Sequence, residues 1–248
     1  MTAAARHRRF GARTVLMSIA AAAVATGASV PASTSAVRPA VVRPTQELTR
    51  LLTSHAVTSV LHARRSPIRT VPARRPLTGG QTVLPVTGRA TTEDGARWLR
   101  VLLPGRPNGA AGWIAERGTA PTTTGWHIVV RTSTRQVRVY RDGRLSRIFA
   151  AIVGKRATPT PHGRFFVEES IRMLPGSAGG PFALALSARS NVLQEFAGGP
   201  GQIGIHGVEN LGGTPGTAIS HGCVRLANHH IRWLAARIVP GVPVTITP

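Results

Sequence analysis

The chain holds one cysteine, Cys223, and the residues around it indicate a thiol that attacks carbonyl groups. His206 precedes Cys223 by 17 positions and His221 precedes it by two. A thiolate is a strong nucleophile toward acyl groups, and a nearby imidazole can take the thiol proton and stabilise the anion. The sequence therefore predicts covalent acyl transfer, with Cys223 as the nucleophile and His206 as its base.

The turn from Ser220 to Cys223 is the predicted oxyanion hole. Gly222 permits backbone angles that other residues avoid, so successive amides can face the same side of the chain. The amides of His221, Gly222 and Cys223 would then stabilise the charge on the attacked oxygen, and each such donor contributes about 3 kcal/mol. His206 remains the better base, because the His221 ring need not face the sulfur.

His206 and Arg225 have further predicted roles, each with a simpler alternative. A base needs a partner for its second ring nitrogen, and the carbonyl of Gly207 can serve in a tight turn. Arg225 can hold a substrate carboxylate through two parallel N–H donors. The alternatives are a structural histidine bonded to a carbonyl, an ion pair of Arg225 with Glu195 or another acid, and an inert buried cysteine.

The composition is strongly basic, with 31 Lys+Arg against 9 Asp+Glu and a formal net charge of +22. The arginines are spread along the chain and are not interleaved with aromatic residues, which form 4% of the sequence. This pattern argues against nucleic-acid binding, which needs a basic stripe or a stacking surface. A basic exported protein would instead adhere to the anionic polymers of a cell wall.

The N-terminus resembles an export signal, predicted over residues 1–36. Four arginines between positions 6 and 13 precede an apolar, alanine-rich stretch over 14–30. The stretch is short for a membrane span, and an uncleaved membrane anchor is the alternative. We predict an exported protein in the cell wall or at the outer face of the cytoplasmic membrane. Export would leave Cys223 unpaired in an oxidising compartment, as a reactive thiol, an intermolecular link or an inert side chain.

Composition also predicts the domain organisation. Residues 37–54 are rich in Pro and Arg and predict a linker. Short Val/Leu-rich runs broken by Gly and Pro fill 55–118, and within them 97–102 alternates apolar and basic residues as a half-buried strand does. Residues 119–125 predict a second linker, and 126–248 form the predicted catalytic domain.

The predicted catalytic domain is mainly β. Alternating apolar residues predict four strands, followed by an amphipathic helix and a closing strand. The strands cover 126–130, 136–140, 145–153 and 163–167, the helix covers 228–239, and the closing strand covers 242–247. Asn228 is the expected N-cap of the helix, and a second short helix can form near 191–196 with Ser190 as its cap.

These motifs resemble the signature of the L,D-transpeptidase catalytic domain family. The matching segments are Ile205-His206-Gly207, the run Ser220-His221-Gly222-Cys223-Val224-Arg225-Leu226, and the loop Thr158-Pro159-Thr160-Pro161-His162-Gly163. The resemblance covers about 126–247. It implies a β-sandwich with one or two helices. The preceding segment resembles a bacterial SH3-like (SH3b) module, which is a small β-barrel.

The resemblance implies a role for each matching residue. It assigns catalysis to Cys223, His206 and Gly207, the oxyanion hole to the amides of His221, Gly222 and Cys223, and substrate contacts to Ser220 and Arg225. It implies no metal and no organic cofactor.

The implied activity is that of a peptidoglycan L,D-transpeptidase. The thiol would attack the third residue of a tetrapeptide stem peptide, release D-alanine and leave a thioester. An amine of a neighbouring stem would then complete a 3→3 cross-link, whereas attack by water would be L,D-carboxypeptidase activity. One alternative is a wall-binding protein whose catalytic domain is inactive. The other is a metal-dependent hydrolase with His206, His221 and Cys223 as ligands.

Overall fold

The structure, a computed structural model, describes residues 42–61, 66–196 and 198–248. The predicted export signal over 1–36 lies outside the described residues. The described chain is mainly β, with seventeen strands and one helix, which confirms the predicted fold class. No helix in this part of the chain combines the length and the apolar character that a membrane crossing requires.

The elements follow one another in chain order. The strands are β1 (Gln46–Leu51), β2 (His55–Val57), β3 (Arg69–Val71), β4 (Val83–Thr91), β5 (Arg97–Leu102), β6 (Ala111–Ala115), β7 (Thr119–Thr124), β8 (Trp126–Arg131), β9 (Gln136–Arg141), β10 (Arg144–Ala150), β11 (Val153–Gly154), β12 (Gly163–Arg172), β13 (Phe182–Arg189), β14 (Gln202–His206), β15 (Ala218–Ser220), β16 (Val224–Arg225) and β17 (Pro243–Thr247). The helix is α1 (Asn228–Ala235).

The first part of the chain forms a five-stranded antiparallel sheet in the order β6-β5-β4-β1-β7. Apolar side chains that alternate along these strands are packed on one side, and Leu51, Leu84 and Ile114 are fully buried. The predicted alternation over 97–102 is confirmed as β5. The assignment of this part to an SH3-like module stays a prediction.

The linker predictions for 37–54 and 119–125 are wrong for the residues that form β1 and β7, because these residues are strands of the first sheet. The two strands pair along their full length, from Gln46 opposite Thr124 to Leu51 opposite Thr119. Four of the six residues of β7 are threonines, whose branched side chains suit a strand. Local composition could not reveal this pairing, because each segment becomes a strand only beside a partner far away in the sequence.

The second part of the chain forms an eight-stranded mixed sheet in the order β10-β9-β8-β17-β12-β13-β14-β16. The strands predicted at 126–130 and 136–140 are confirmed as β8 and β9, which pair as an antiparallel hairpin. Two of the pairings are parallel, β8 with β17 and β14 with β16. The pairing of β14 with β16 positions the candidate site.

The helical predictions need correction. Helix α1 ends at Ala235 rather than at 239, because the amide of Arg237 bonds to the carbonyl of Leu234 three residues back and tightens the last turn. Its N-cap is Ala227, with no side-chain cap.

The Asn228 side chain accepts a hydrogen bond from the amide of Val208 instead, at 3.0 Å. Residues 191–196 form no helix. Ser190 Oγ accepts hydrogen bonds from the amides of Val192 and Leu193, as a helix cap would. The residues after it form bends and do not continue as a helix.

A buried ion cluster connects the loop before β4 to the eight-stranded sheet. Glu168 and Glu169 lie on β12 and are 1% and 2% exposed. Glu168 forms ion pairs with Arg75 and with Arg189, the latter at 3.1 Å. Glu169 accepts hydrogen bonds from the amide and the hydroxyl of Thr78, both at 2.8 Å. The cluster therefore links the two sheets through charges that have little access to water.

We expect Glu168→Ala to lower the free energy of unfolding by about 3–5 kcal/mol, because Arg189 loses its carboxylate and Arg75 keeps only a longer pair with Glu169, at 3.7 Å. Denaturant titration checks this. The matched control is Glu47→Ala, which breaks an ion pair with Arg89 whose side chains are 59% and 46% exposed. That control should lose less than about 1 kcal/mol. Equal small losses in both variants would contradict the role of the cluster.

Candidate functional site

Strands β14 and β16 bring the candidate nucleophile and the candidate base together. They are parallel, with Ile205 opposite Val224 and His206 opposite Arg225. Residues two apart in an extended segment face the same side, so Cys223 lies beside the strand face that carries His206. Gly204, two residues before His206 on β14, has no side chain, and its amide N lies 3.4 Å from Cys223 Sγ. The register of one short strand pair therefore sets this arrangement.

His206 is held in one orientation by its neighbours. Its Nδ1 lies 2.8 Å from the carbonyl oxygen of Gly207. Donation from Nδ1–H to this carbonyl leaves Nε2 free to accept a proton. Burial lowers the pKa of His206, the charge of Arg225 lowers it further, and the bond to Gly207 opposes both. The imidazole is therefore neutral at neutral pH and can act as a base.

Gly179 is a residue that the sequence analysis missed. It lies in the loop between β12 and β13, and a Cβ there would come within 2.6 Å of His206 Nδ1. Its φ of +84° also favours glycine. The amide of Gly179 donates a hydrogen bond to the carbonyl of Glu209, and the carbonyl of Gly179 accepts one from the amide of Gly207. The glycine-rich character of the loop was the available signal.

The thiol of Cys223 is half-buried, and this changes its expected ionisation. Burial raises the pKa of Cys223, whereas the Gly204 amide and the charge of Arg225 lower it to a smaller extent. Because burial also lowers the pKa of His206, the favoured resting state is a neutral thiol beside a neutral imidazole. The thiolate expected from the sequence would then form only as the thiol attacks.

This resting state predicts two different pH profiles for the same sulfur. The family resemblance implies that carbapenems, which carry a reactive β-lactam carbonyl, acylate Cys223. That reaction would need neutral His206 as the base, so the acylation rate should rise through a midpoint below about pH 6.5 and then level off. Alkylation by iodoacetamide needs the thiolate, so its rate should still be rising above about pH 8.5. Stopped-flow and mass measurements across pH check both profiles. A shared midpoint in the acid range would indicate a preformed ion pair instead.

The turn before Cys223 corrects two sequence-based assignments. Ser220 is fully buried. Its Oγ donates to the carbonyl of Cys223 at 2.6 Å and accepts the amide of Gly222 at 3.2 Å. Ser220 therefore supports the turn and does not face substrate. Because the amide of Gly222 already donates its hydrogen bond to Ser220 Oγ, the amides of His221 and Cys223 are the remaining candidate oxyanion donors.

Arg225 and His221 lie at the edges of the site. Arg225 donates from Nη1 to the carbonyl of Gly212 at 3.0 Å. Within the described residues it forms no ion pair with Glu195, so its guanidinium keeps donors for another group. Its contact with a substrate carboxylate stays a prediction. The exposed ring of His221 stacks on the ring of Phe196, with the two centroids 5.5 Å apart.

The histidine and cysteine side chains raise the question of a metal site. Across the part of the chain that the structure describes, no group of three or more His, Cys, Asp or Glu side chains is arranged to hold a metal ion.

Comparison with known proteins shows the family of this chain. The YkuD family, the L,D-transpeptidase catalytic domain, matches residues 125–246. A Bacillus licheniformis protein named as the L,D-transpeptidase YkuD is 33% identical over 128 residues, which are 52% of this chain and 69% of that protein. Its Bacillus subtilis counterpart is 29% identical over 146 residues, or 59% of this chain and 73% of that protein.

Among solved structures, an L,D-transpeptidase from Mycobacterium tuberculosis is 16% identical, with a TM-score of 0.44, and covers 80% of this chain and 96% of its own. The sequence relatives decide the classification. The chain belongs to the L,D-transpeptidase (YkuD) family.

Proposed function

We propose that this protein is a peptidoglycan L,D-transpeptidase that acts through a thioester on Cys223. The observation that supports the proposal is the parallel pairing of β14 with β16, in which His206 lies opposite Arg225 and Cys223 Sγ lies 3.4 Å from the amide of Gly204, two residues before His206. Family membership supports the substrate class, because the related proteins are named as L,D-transpeptidases.

The geometry supports a two-step reaction. In the first step Cys223 Sγ bonds to the carbonyl carbon of the third stem residue, and the thiol proton moves to Nε2 of His206. The carbonyl electron pair moves to oxygen, where the amides of His221 and Cys223 can stabilise it. Its return expels the amine of D-alanine, which takes the proton from His206.

The second step transfers the acyl group from the thioester. The nitrogen of an amine on a neighbouring stem bonds to the carbonyl carbon of the thioester and gives a proton to His206. The C–S bond then breaks, and the sulfur takes that proton from His206 to become a thiol again. The product is a 3→3 cross-link. Attack by water gives the tripeptide instead, which is the L,D-carboxypeptidase activity that we also propose for this acyl-enzyme.

Incubation of the full chain with a disaccharide-tetrapeptide tests the proposal. We expect release of D-alanine, an acyl-enzyme visible by intact mass, and a cross-linked dimer. Tripeptide without dimer would show hydrolysis alone. No covalent adduct and no D-alanine from folded protein would contradict the proposal and favour a wall-binding protein. Activity that persists with a chelator and disappears with iodoacetamide would exclude the metal-dependent alternative.

We further propose export to the cell wall or the outer membrane face, and wall adhesion through the basic surface and the SH3-like part. The net charge of +22 supports adhesion to anionic wall polymers. Binding of the protein to isolated cell walls should then weaken as salt is raised.

A further inference from the structure

Two buried threonines hold the carbonyls of the turn before the candidate nucleophile. Thr158 and Thr160 follow β11 and are 7% and 3% exposed. Thr158 Oγ1 donates to the carbonyl of Ser220 at 3.2 Å. Thr160 Oγ1 donates to the carbonyl of Gly222 at 2.8 Å and accepts the amide of Gly154 at 2.9 Å. Neither hydroxyl is needed for proton transfer, so the bonds point to another role.

These bonds determine where the oxyanion donors point. A trans peptide unit is planar, so its C=O and the following N–H point in opposite directions. When Thr160 holds the carbonyl of Gly222, the N–H of Cys223 is directed away from the threonine loop. When Thr158 holds the carbonyl of Ser220, the N–H of His221 is fixed in the same way.

The turn needs this support because its glycine is conformationally free. Gly222 has φ of +119°, a region that other residues rarely adopt. Its own amide already bonds to Ser220 Oγ. A Cβ at Gly222 would come within 3.0 Å of Ile203 Cδ1, so the turn is also closely packed. Oxyanion donors are effective when they are oriented before the reaction, and a loose turn would lose this advantage.

We propose that Thr160, assisted by Thr158, positions the amides of Cys223 and His221 as the oxyanion hole of this enzyme. The inference rests on the proposed function and extends it. Thr160 is a positioning residue, because its hydroxyl touches only backbone groups. The two threonines are not equivalent. The carbonyl of Ser220 also accepts the amide of Lys155 at 3.0 Å, so Thr158 has a backbone bond that shares its task.

Two reactions of the same sulfur separate this role from a general structural one. Acylation by a carbapenem builds negative charge on a carbonyl oxygen and needs the oxyanion donors. Alkylation by iodoacetamide displaces iodide at a saturated carbon and needs only the thiolate. The decisive quantity is the ratio of the two rate constants, measured by intact mass on the full chain.

Thr160→Val removes the hydroxyl and keeps the shape of the side chain. We expect it to slow acylation by about 10–100-fold, less than the loss of a whole oxyanion donor, and to leave alkylation unchanged. Thr160→Ser keeps the hydroxyl and should restore acylation. Thr158→Val should have a smaller effect in the same direction. It also provides a second test if Thr160→Val does not fold.

The matched control is Thr119→Val, which removes a hydroxyl that donates to the carbonyl of Glu116 at 2.7 Å in the first sheet. Its rate ratio should equal that of the unchanged protein. Equal slowing of acylation and alkylation in Thr160→Val, or no slowing of either, would overturn the positioning role. An unchanged protein that is alkylated but never acylated would instead contradict the proposed function.

Discussion

Cys223→Ala is expected to abolish acylation of the protein by stem peptides and by carbapenems. The chain has one cysteine, so no second thiol can replace the missing nucleophile. Intact mass should show no adduct even at long incubation, and D-alanine should not be released from a tetrapeptide. The effect is the largest we expect, because the covalent intermediate itself cannot form.

The loss should be chemical and not structural. Cys223 Sγ accepts one long hydrogen bond, from the amide of Gly204 at 3.4 Å, and its contact with the carbonyl of Gln202 is longer still at 4.0 Å. Alanine fits the same space, so we expect thermal unfolding close to that of the unchanged protein. An adduct on folded Cys223→Ala would place the nucleophile on another residue and contradict the proposal.

His206→Gln should have the second largest effect. Acylation at neutral pH should fall by about 10²–10⁴-fold, because the thiol loses the base that takes its proton. Alkylation by iodoacetamide at strongly alkaline pH should persist, because hydroxide then removes the proton instead. Acylation should also recover in part as pH rises. The two rates, measured from neutral to alkaline pH, check the base assignment.

A second histidine serves as the control for this substitution. His229 is exposed at the start of α1, and its ring contacts that of His230, so His229→Gln should leave both rates unchanged. Normal acylation by His206→Gln at neutral pH would show that the neutral imidazole is not the base. Loss of alkylation at every pH would show that the substitution had closed the site rather than removed a base.

Much of the fold could be predicted from local sequence. The alternation of apolar residues located β8 and β9, because a strand with one buried face has a period of two. The apolar spacing around Ile231 and Leu234 located helix α1, and both side chains are fully buried. The spacing of apolar residues along one segment was therefore enough to locate these strands and this helix.

Elements that depend on distant partners could not be predicted in this way. Strand β7 looked like a linker, because it becomes a strand only when it pairs with β1. The Asn228 side chain looked like a helix cap, yet it bonds to Val208 in a loop that the fold brings near it. Both errors arose from contacts between segments far apart in the chain.

The sequence by itself determined which groups are available for chemistry: one thiol at Cys223, an imidazole at His206, and a turn with a glycine, Gly222, immediately before the thiol. Only the tertiary structure decided how these groups work. Burial sets the protonation of the thiol and the imidazole, because desolvation depends on what surrounds a group and not on its sequence neighbours. The direction of each turn amide depends on hydroxyls of Thr158 and Thr160, which are 62 positions away from the carbonyls they hold.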